Sequence, residues 1–313
     1  MNAGYNWIWV ALLLALSLPA FAGDQERELR EAATVGDVVE LQQLLAAGAD
    51  PTAPNKYGKT ALMMAVENGN IAAASLLVSQ GADVNYKTVA GCTALTFAAE
   101  NGETELSALL LEKGADMQAR TRAGWNSLMI ASRYGLDDMV EQLLFKGANT
   151  AERDRQGRSA LMMAAAKGHL KVVRMLLDAG AQADARDGHG QTALMLAAVG
   201  GHSEVMQALL RAGAKVDAVS NDGATALIWA AGERRLEAAR QLLAAGAQIN
   251  ARDVDGTTAL MEAVGVRDAD MARLLMHAGA DPSIRNRDGE TAVDMARHSR
   301  SLQVLGVLSG EAE

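Results

Sequence analysis

The chain has 313 residues, half of them apolar but only 4% aromatic, with 30 glycines, 4 prolines and a single cysteine. The apolar fraction excludes disorder, one cysteine excludes a disulfide framework or a multi-thiolate metal site, and the scarcity of rings argues against a conventional core resting on them. The formal net charge of −9 disfavours binding to a phosphate backbone, so no nucleic-acid partner is expected.

No residue before Asp24 carries a charged side chain. Trp7 to Leu18 is an apolar run (WIWVALLLALSL), followed by Pro19 and Ala20-Phe21-Ala22. Small residues at 20 and 22 flank a site of the type that signal peptidase cuts, which predicts a signal peptide over residues 1–22 with cleavage after Ala22. The run is short against the roughly 20 residues that a membrane-spanning helix needs. Its amino-terminal part has no Lys or Arg, so an uncleaved anchor is the alternative, and membrane contact is expected only in that case. No cysteine follows the run, which excludes lipid attachment at a lipoprotein box.

From there the chain is periodic. Gly58, Gly91, Gly124, Gly157, Gly190, Gly223, Gly256 and Gly289 are each 33 residues apart, without insertion. Most are followed by x-Thr-Ala-Leu, as in Thr60-Ala61-Leu62 and Thr192-Ala193-Leu194; Asn126, Ser159 and Thr291 head the variants. The Thr, Ser or Asn is an N-cap type, and Leu62, Ala65 and their equivalents then form the apolar face of a short helix. A further glycine 11 residues on, from Gly36 to Gly201, ends that helix in a left-handed conformation. A second helix ends in a leucine pair such as Leu176-Leu177 or Leu209-Leu210 before a Gly-Ala stop. The polar stretch from there to the next glycine suits a hairpin-like loop. Each unit has one apolar face and buries it only against its neighbours.

The pattern D-x-x-G-x-T-A-L-x-x-A-A-x-x-G-H…L-L-x-x-G-A resembles the ankyrin repeat, with Asp154-Arg155-Gln156-Gly157, Lys167-Gly168-His169 and Leu176-Leu177 among the best matches. The resemblance implies an all-α ankyrin-repeat solenoid of helix-turn-helix units with short β-hairpin loops. It further implies that residues 23–313 form one domain of about nine repeats, with both ends expected to act as caps. In place of the family's Thr-Pro-Leu-His, the chain has Ala for Pro and mostly Met (Met63, Met129, Met162, Met195, Met261) for His. The helix-ending glycine becomes Arg234, Arg267 and Arg300 in the last three repeats, which predicts the least stable third of the molecule there.

Little else carries chemistry. His169 and His202 share one repeat position and read as structural; no nucleophile-elbow serine, metalloprotease helix or phosphate-binding loop is present. The methionines recur at core-facing positions and read as gap-filling rather than as thioether ligands. Cys92, beside a loop glycine, is expected near the surface, and Trp229 is expected in the core. We therefore expect no enzyme, no cofactor and no metal.

Ankyrin-type binders vary at the loop tips and on the exposed side of the first helix, which line a concave groove. By this resemblance the partner-binding residues are Tyr57, Lys59, Arg122, Trp125, Arg133, Tyr134, Arg155 and Arg158. Trp, Tyr and Arg are the types that dominate interface energetics. The same positions turn acidic later, at Asp222, Glu233, Asp255, Asp288 and Glu290. The expected function is protein binding in the periplasm: a monomer that holds an acidic patch of a partner, as an inhibitor or immunity-type protein or as a helper of an envelope enzyme. The alternatives are a small-ligand binder or enzyme accessory using the same groove, and a membrane-anchored spacer.

Overall fold

The computed structural model describes residues 18–310, and among them eighteen helices follow one another in nine pairs. They are α1 (Leu18–Val35) with α2 (Val38–Ala46), α3 (Ala61–Glu67) with α4 (Ile71–Ser79), and α5 (Ala94–Asn101) with α6 (Thr104–Glu112). Then come α7 (Ser127–Tyr134) with α8 (Asp137–Phe145), α9 (Ala160–Lys167) with α10 (Leu170–Asp178), and α11 (Ala193–Gly200) with α12 (Ser203–Arg211). The last are α13 (Ala226–Gly232) with α14 (Leu236–Ala244), α15 (Ala259–Gly265) with α16 (Ala269–His277), and α17 (Ala292–His298) with α18 (Leu302–Ser309). The chain divides into two compact units, one ending at Ile130 and the other beginning at Ala131. Within each, first helices pack on first helices and second helices on second helices. Most of the apolar run assigned to a signal peptide lies outside the described residues; the bond after Ala22 falls inside α1.

The caps form as the sequence predicts. Thr60, Thr93, Ser159, Thr192, Thr225, Thr258 and Thr291 each accept from the backbone N–H three residues on, satisfying an amide that has no partner inside its helix. Seven residues after each loop glycine stands an alanine, from Ala65 through Ala164 to Ala296, and all eight are fully buried. So small a side chain lets neighbouring first helices approach closely, which explains a core with few rings. The leucine four residues before each Gly-Ala glycine (Leu77, Leu110, Leu143, Leu176, Leu209, Leu242, Leu275) is likewise fully buried. Met63, Met129, Met162, Met195 and Met261 fill the space between them.

The loops differ from the expected β-hairpins. Among the described residues there is no strand, only one isolated antiparallel bridge between Arg285 and Thr291. The reason is a side chain. Three residues before each loop glycine sits Asn, Thr, Asp or Ser, which closes a five-residue ring. At Asp154, the backbone N–H donates to the Arg158 carbonyl (2.9 Å), and the carbonyl accepts from Gly157 N–H (3.0 Å). Its Oδ1 accepts from the amides of Gln156 (2.9 Å) and Arg158 (2.8 Å), which a longer ladder would need. Asn55, Asp187, Asp253 and Asn286 make the same ring.

The helix-ending glycines need both their φ and their missing side chain. At Gly168 (φ +78°) a Cβ would lie 2.6 Å from Nδ1 of His202, whose Nε2 is 3.3 Å from the Ala166 carbonyl at the end of α9. His169 caps the Arg133 carbonyl in the same way at 3.0 Å, and Asn70 and Arg235 reach the carbonyls of Thr34 (2.8 Å) and Val199 (2.8 Å). Both histidines are therefore structural: each satisfies a free helix-end carbonyl of the preceding repeat. Arg234, Arg267 and Arg300 do adopt left-handed φ of 57°, 56° and 53°.

Two predictions follow from these helix ends. Gly180, also at positive φ (+83°), has nothing within 4 Å of its absent Cβ. In urea unfolding, Gly180→Ala should cost about 1 kcal/mol, and Gly168→Ala about 1 kcal/mol more through the lost cap. In a His202→Ala background the two substitutions should cost the same. Arg267→Gly should stabilise by about 1 kcal/mol, read as a rise in the urea midpoint.

Candidate protein-binding face

The eight residues expected to meet a partner do not behave alike. In the first unit, Tyr57 is 61% exposed at a loop tip, with the Lys56 ammonium 5.0 Å from its ring centre. Lys59 is turned inward: its Nζ lies 2.6 Å from Glu67 Oε2 and 4.8 Å from the centre of the Phe97 ring. Arg122 is exposed, and its backbone N–H donates to the Ala90 carbonyl (2.7 Å), which fixes its loop against the preceding one. Trp125 is half-buried, its backbone N–H donating to Thr121 Oγ1 (3.3 Å).

In the second unit, Arg133 is half-buried and Tyr134 is 52% exposed, both in the last turn of α7. Arg155 is exposed at a loop tip. Arg158 belongs to the scaffold: its Nε and Nη2 donate to Asp154 Oδ2 at 2.9 and 2.8 Å, and the Asp154 side chain is only 1% exposed. A buried carboxylate held by two charged donors is far costlier to break than a surface pair. Tyr57, Arg122, Tyr134 and Arg155 are thus the exposed members of the set.

The acidic positions also separate. Asp255 pairs with Arg287 (3.2 Å), and Glu290 faces His298 Nδ1 (2.8 Å). Asp222 and Glu233 instead line a pocket of about 220 Å³, together with Ala224, Ile228, Trp229, Gly232, Asp253 and Glu262. Trp229 is therefore not a core residue as expected. It stands six residues after its loop glycine, on a helix face that is only partly covered, and its Nε1 is buried without an acceptor.

Glu262 escaped the sequence reading, although the signal was there. It occupies the same position six residues after a loop glycine, where the other seven repeats carry Met64, Phe97, Ile130, Met163, Leu196, Trp229 and Met295. One carboxylate in an apolar column is a departure visible once the repeats are aligned. Burial, and next the charge of Asp253, push its carboxyl above the ordinary glutamate value. Cys92 is half-buried rather than at the surface, and burial followed by the Glu100 charge pushes its thiol up, away from the reactive thiolate.

Repeated helix pairs with a fixed scaffold and side chains that change from repeat to repeat at the loop tips define a binding scaffold. The chain belongs to the ankyrin-repeat family: the family model for ankyrin repeats (3 copies) matches residues 29–121, 128–220, 181–253 and 212–286. Such repeats make this chain a protein–protein interaction module, in a family that is typically a non-enzymatic scaffold. The comparison with curated proteins returned no match.

Glu262 yields a pH prediction. A carboxyl whose folded-state pKa is raised stabilises the fold fully below its unfolded value and loses that contribution as pH rises through the folded value. Glu262→Gln should therefore raise the thermal midpoint at neutral pH. The advantage should vanish as pH falls below about 4, near the ordinary glutamate value. Thermal scans of both proteins across pH check this.

Proposed function

We propose that this chain is an exported binding protein that seats an acidic surface of a partner on its loop tips and first-helix ends. The observation that carries this reading is the exposure of Arg122, Tyr134 and Arg155 on a chain with a net charge of −9, while the scaffold beneath them is locked. Arginine offers planar, multiple donors to carboxylates, and tyrosine adds contact area at little entropic cost. Trp125 and Arg133 border these groups in the sequence and join the contact as partly buried members. The uncharged leader before Asp24 supports export to the periplasm with cleavage after Ala22. There the protein acts as an inhibitor or immunity-type cover for an enzyme, or as the helper that holds an envelope enzyme.

The test is capture from an envelope fraction by the purified protein and by a variant carrying Arg122→Ala, Arg133→Ala, Tyr134→Ala and Arg155→Ala. All four residues are on the surface or half-buried, and none supplies the side chain that closes a loop ring. A partner retained by the first and lost by the second is expected. Its affinity for the unaltered protein should fall steeply as ionic strength rises and the Debye length shrinks below about 10 Å. Capture unaffected by the four changes would remove this face from the site. An amino terminus other than Gly23 on protein recovered from the envelope would overturn the cleavage.

A further inference from the structure

One repeat of the first unit shows how the fold houses a cation. Lys59 stands one residue after its loop glycine, Glu67 nine residues after it, and Phe97 six residues after the next loop glycine. The lysine ammonium sits between them, 2.6 Å from the carboxylate and 4.8 Å from the ring centre. The fold thus creates, between neighbouring first helices, a slot that suits an ammonium lodged against an aromatic face and a carboxylate.

The pocket of the second unit is that slot without its lysine. The same three positions hold Ala224, Gly232 and Glu262, and all three line it. The two small residues open the space. The carboxylate now comes from the next repeat, and the aromatic wall is Trp229, the ring type that attracts cations best. Asp222, Asp253 and Glu233 add three more carboxylates to the lining. Among the described residues no cation pairs with any of the four. Arg252, the nearest basic residue in sequence to Asp253, donates instead to the carbonyls of Gly256 and Arg285. Asp253 Oδ1 is occupied by the amides of Asp255 (2.9 Å) and Thr257 (2.8 Å), which leaves Glu262, with Asp222 and Glu233 beside it, to meet a ligand.

We propose that this pocket receives the cationic end of a lysine or arginine side chain presented by the protein partner, held between the Trp229 ring and the Glu262 carboxylate. The volume of about 220 Å³ suits one such side-chain end. The proposal rests on the protein-binding reading above, and it adds a demand on the partner: an acidic patch accompanied by at least one projecting basic residue. The pocket lies wholly within the second unit.

The test needs no partner, so its failure is distinct from failure of the capture experiment. Full-length protein labelled with 5-fluorotryptophan gives a ¹⁹F resonance for Trp229, assigned by its loss in Trp229→Phe. Titration with N-acetyl-lysine methylamide and N-acetyl-arginine methylamide should shift that resonance saturably in the millimolar range. N-acetyl-citrulline methylamide, equal in shape but uncharged, should not. Glu262→Gln should weaken the basic probes about tenfold or more. Ala224→Lys, which supplies the slot from within as Lys59 does, should abolish their binding while the protein stays folded. No saturable shift, an equal shift with the citrulline probe, or undiminished binding in both variants would overturn the proposal. Agmatine binding about a hundredfold tighter than the arginine amide would reassign the pocket to a free small cation and overturn the partner assignment.

Discussion

The five-residue ring that closes each loop is the constraint on which the rest depends. A short polar side chain three residues before the loop glycine takes up the amides of the turn, so the loop is complete without a strand partner. Its outer edge is then free to bond the next loop. Val89 donates to the Tyr57 carbonyl (3.1 Å) and Gly188 to Gln156 (2.7 Å), and the same step recurs at Asn221, Val254 and Arg287. These bonds connect residues about one repeat apart, so an inserted residue would move every donor off its acceptor. The unbroken spacing of 33 is their signature in the sequence. Only with that register held can a column of alanines face itself along each unit and pack without cavities.

Much of this is legible because glycine is legible. Three glycine positions per repeat announce two helix ends and a turn, and the cap hydroxyls announce the starts; the left-handed arginines follow from the same alignment. The loops were harder to read. A polar stretch ending in glycine suggests a hairpin, but the preference of Asn, Asp, Ser and Thr to bond their own neighbouring amides competes with ladder formation and wins here. Site residues were less legible still, because pairing is invisible in a repeat alignment. Lys59 and Arg158 occupy the same variable position as Trp125, yet Glu67 eight residues on and Asp154 four residues back engage them. Trp229 departs from the expected core position because a helix only two turns long exposes part of the face adjoining its buried leucine.

The two charge environments differ in physical kind. Arg122 and Arg155 lie in solvent, where charge guides encounter and orientation more than it adds affinity. The carboxylates around Trp229 line a recess, where fewer waters compete and each contact discriminates more strongly. The scaffold places one set on open loop tips and the other between helices, at positions that its own folding leaves unspecified.

The backward reach of Asn70, His169, His202 and Arg235 gives the chain a direction that the repetition conceals. At these four junctions the helix end of one repeat is satisfied by a side chain of the next. During synthesis the repeats that end at Thr34, Arg133, Ala166 and Val199 leave the ribosome with these carbonyls open, and their completion trails elongation by one period. At these junctions, loss of material from the carboxyl end uncaps a helix that otherwise remains intact, whereas loss from the amino end removes only the acceptor of a side chain that can turn to water. The two ends of this molecule are therefore unequal, although the repeats between them are nearly the same.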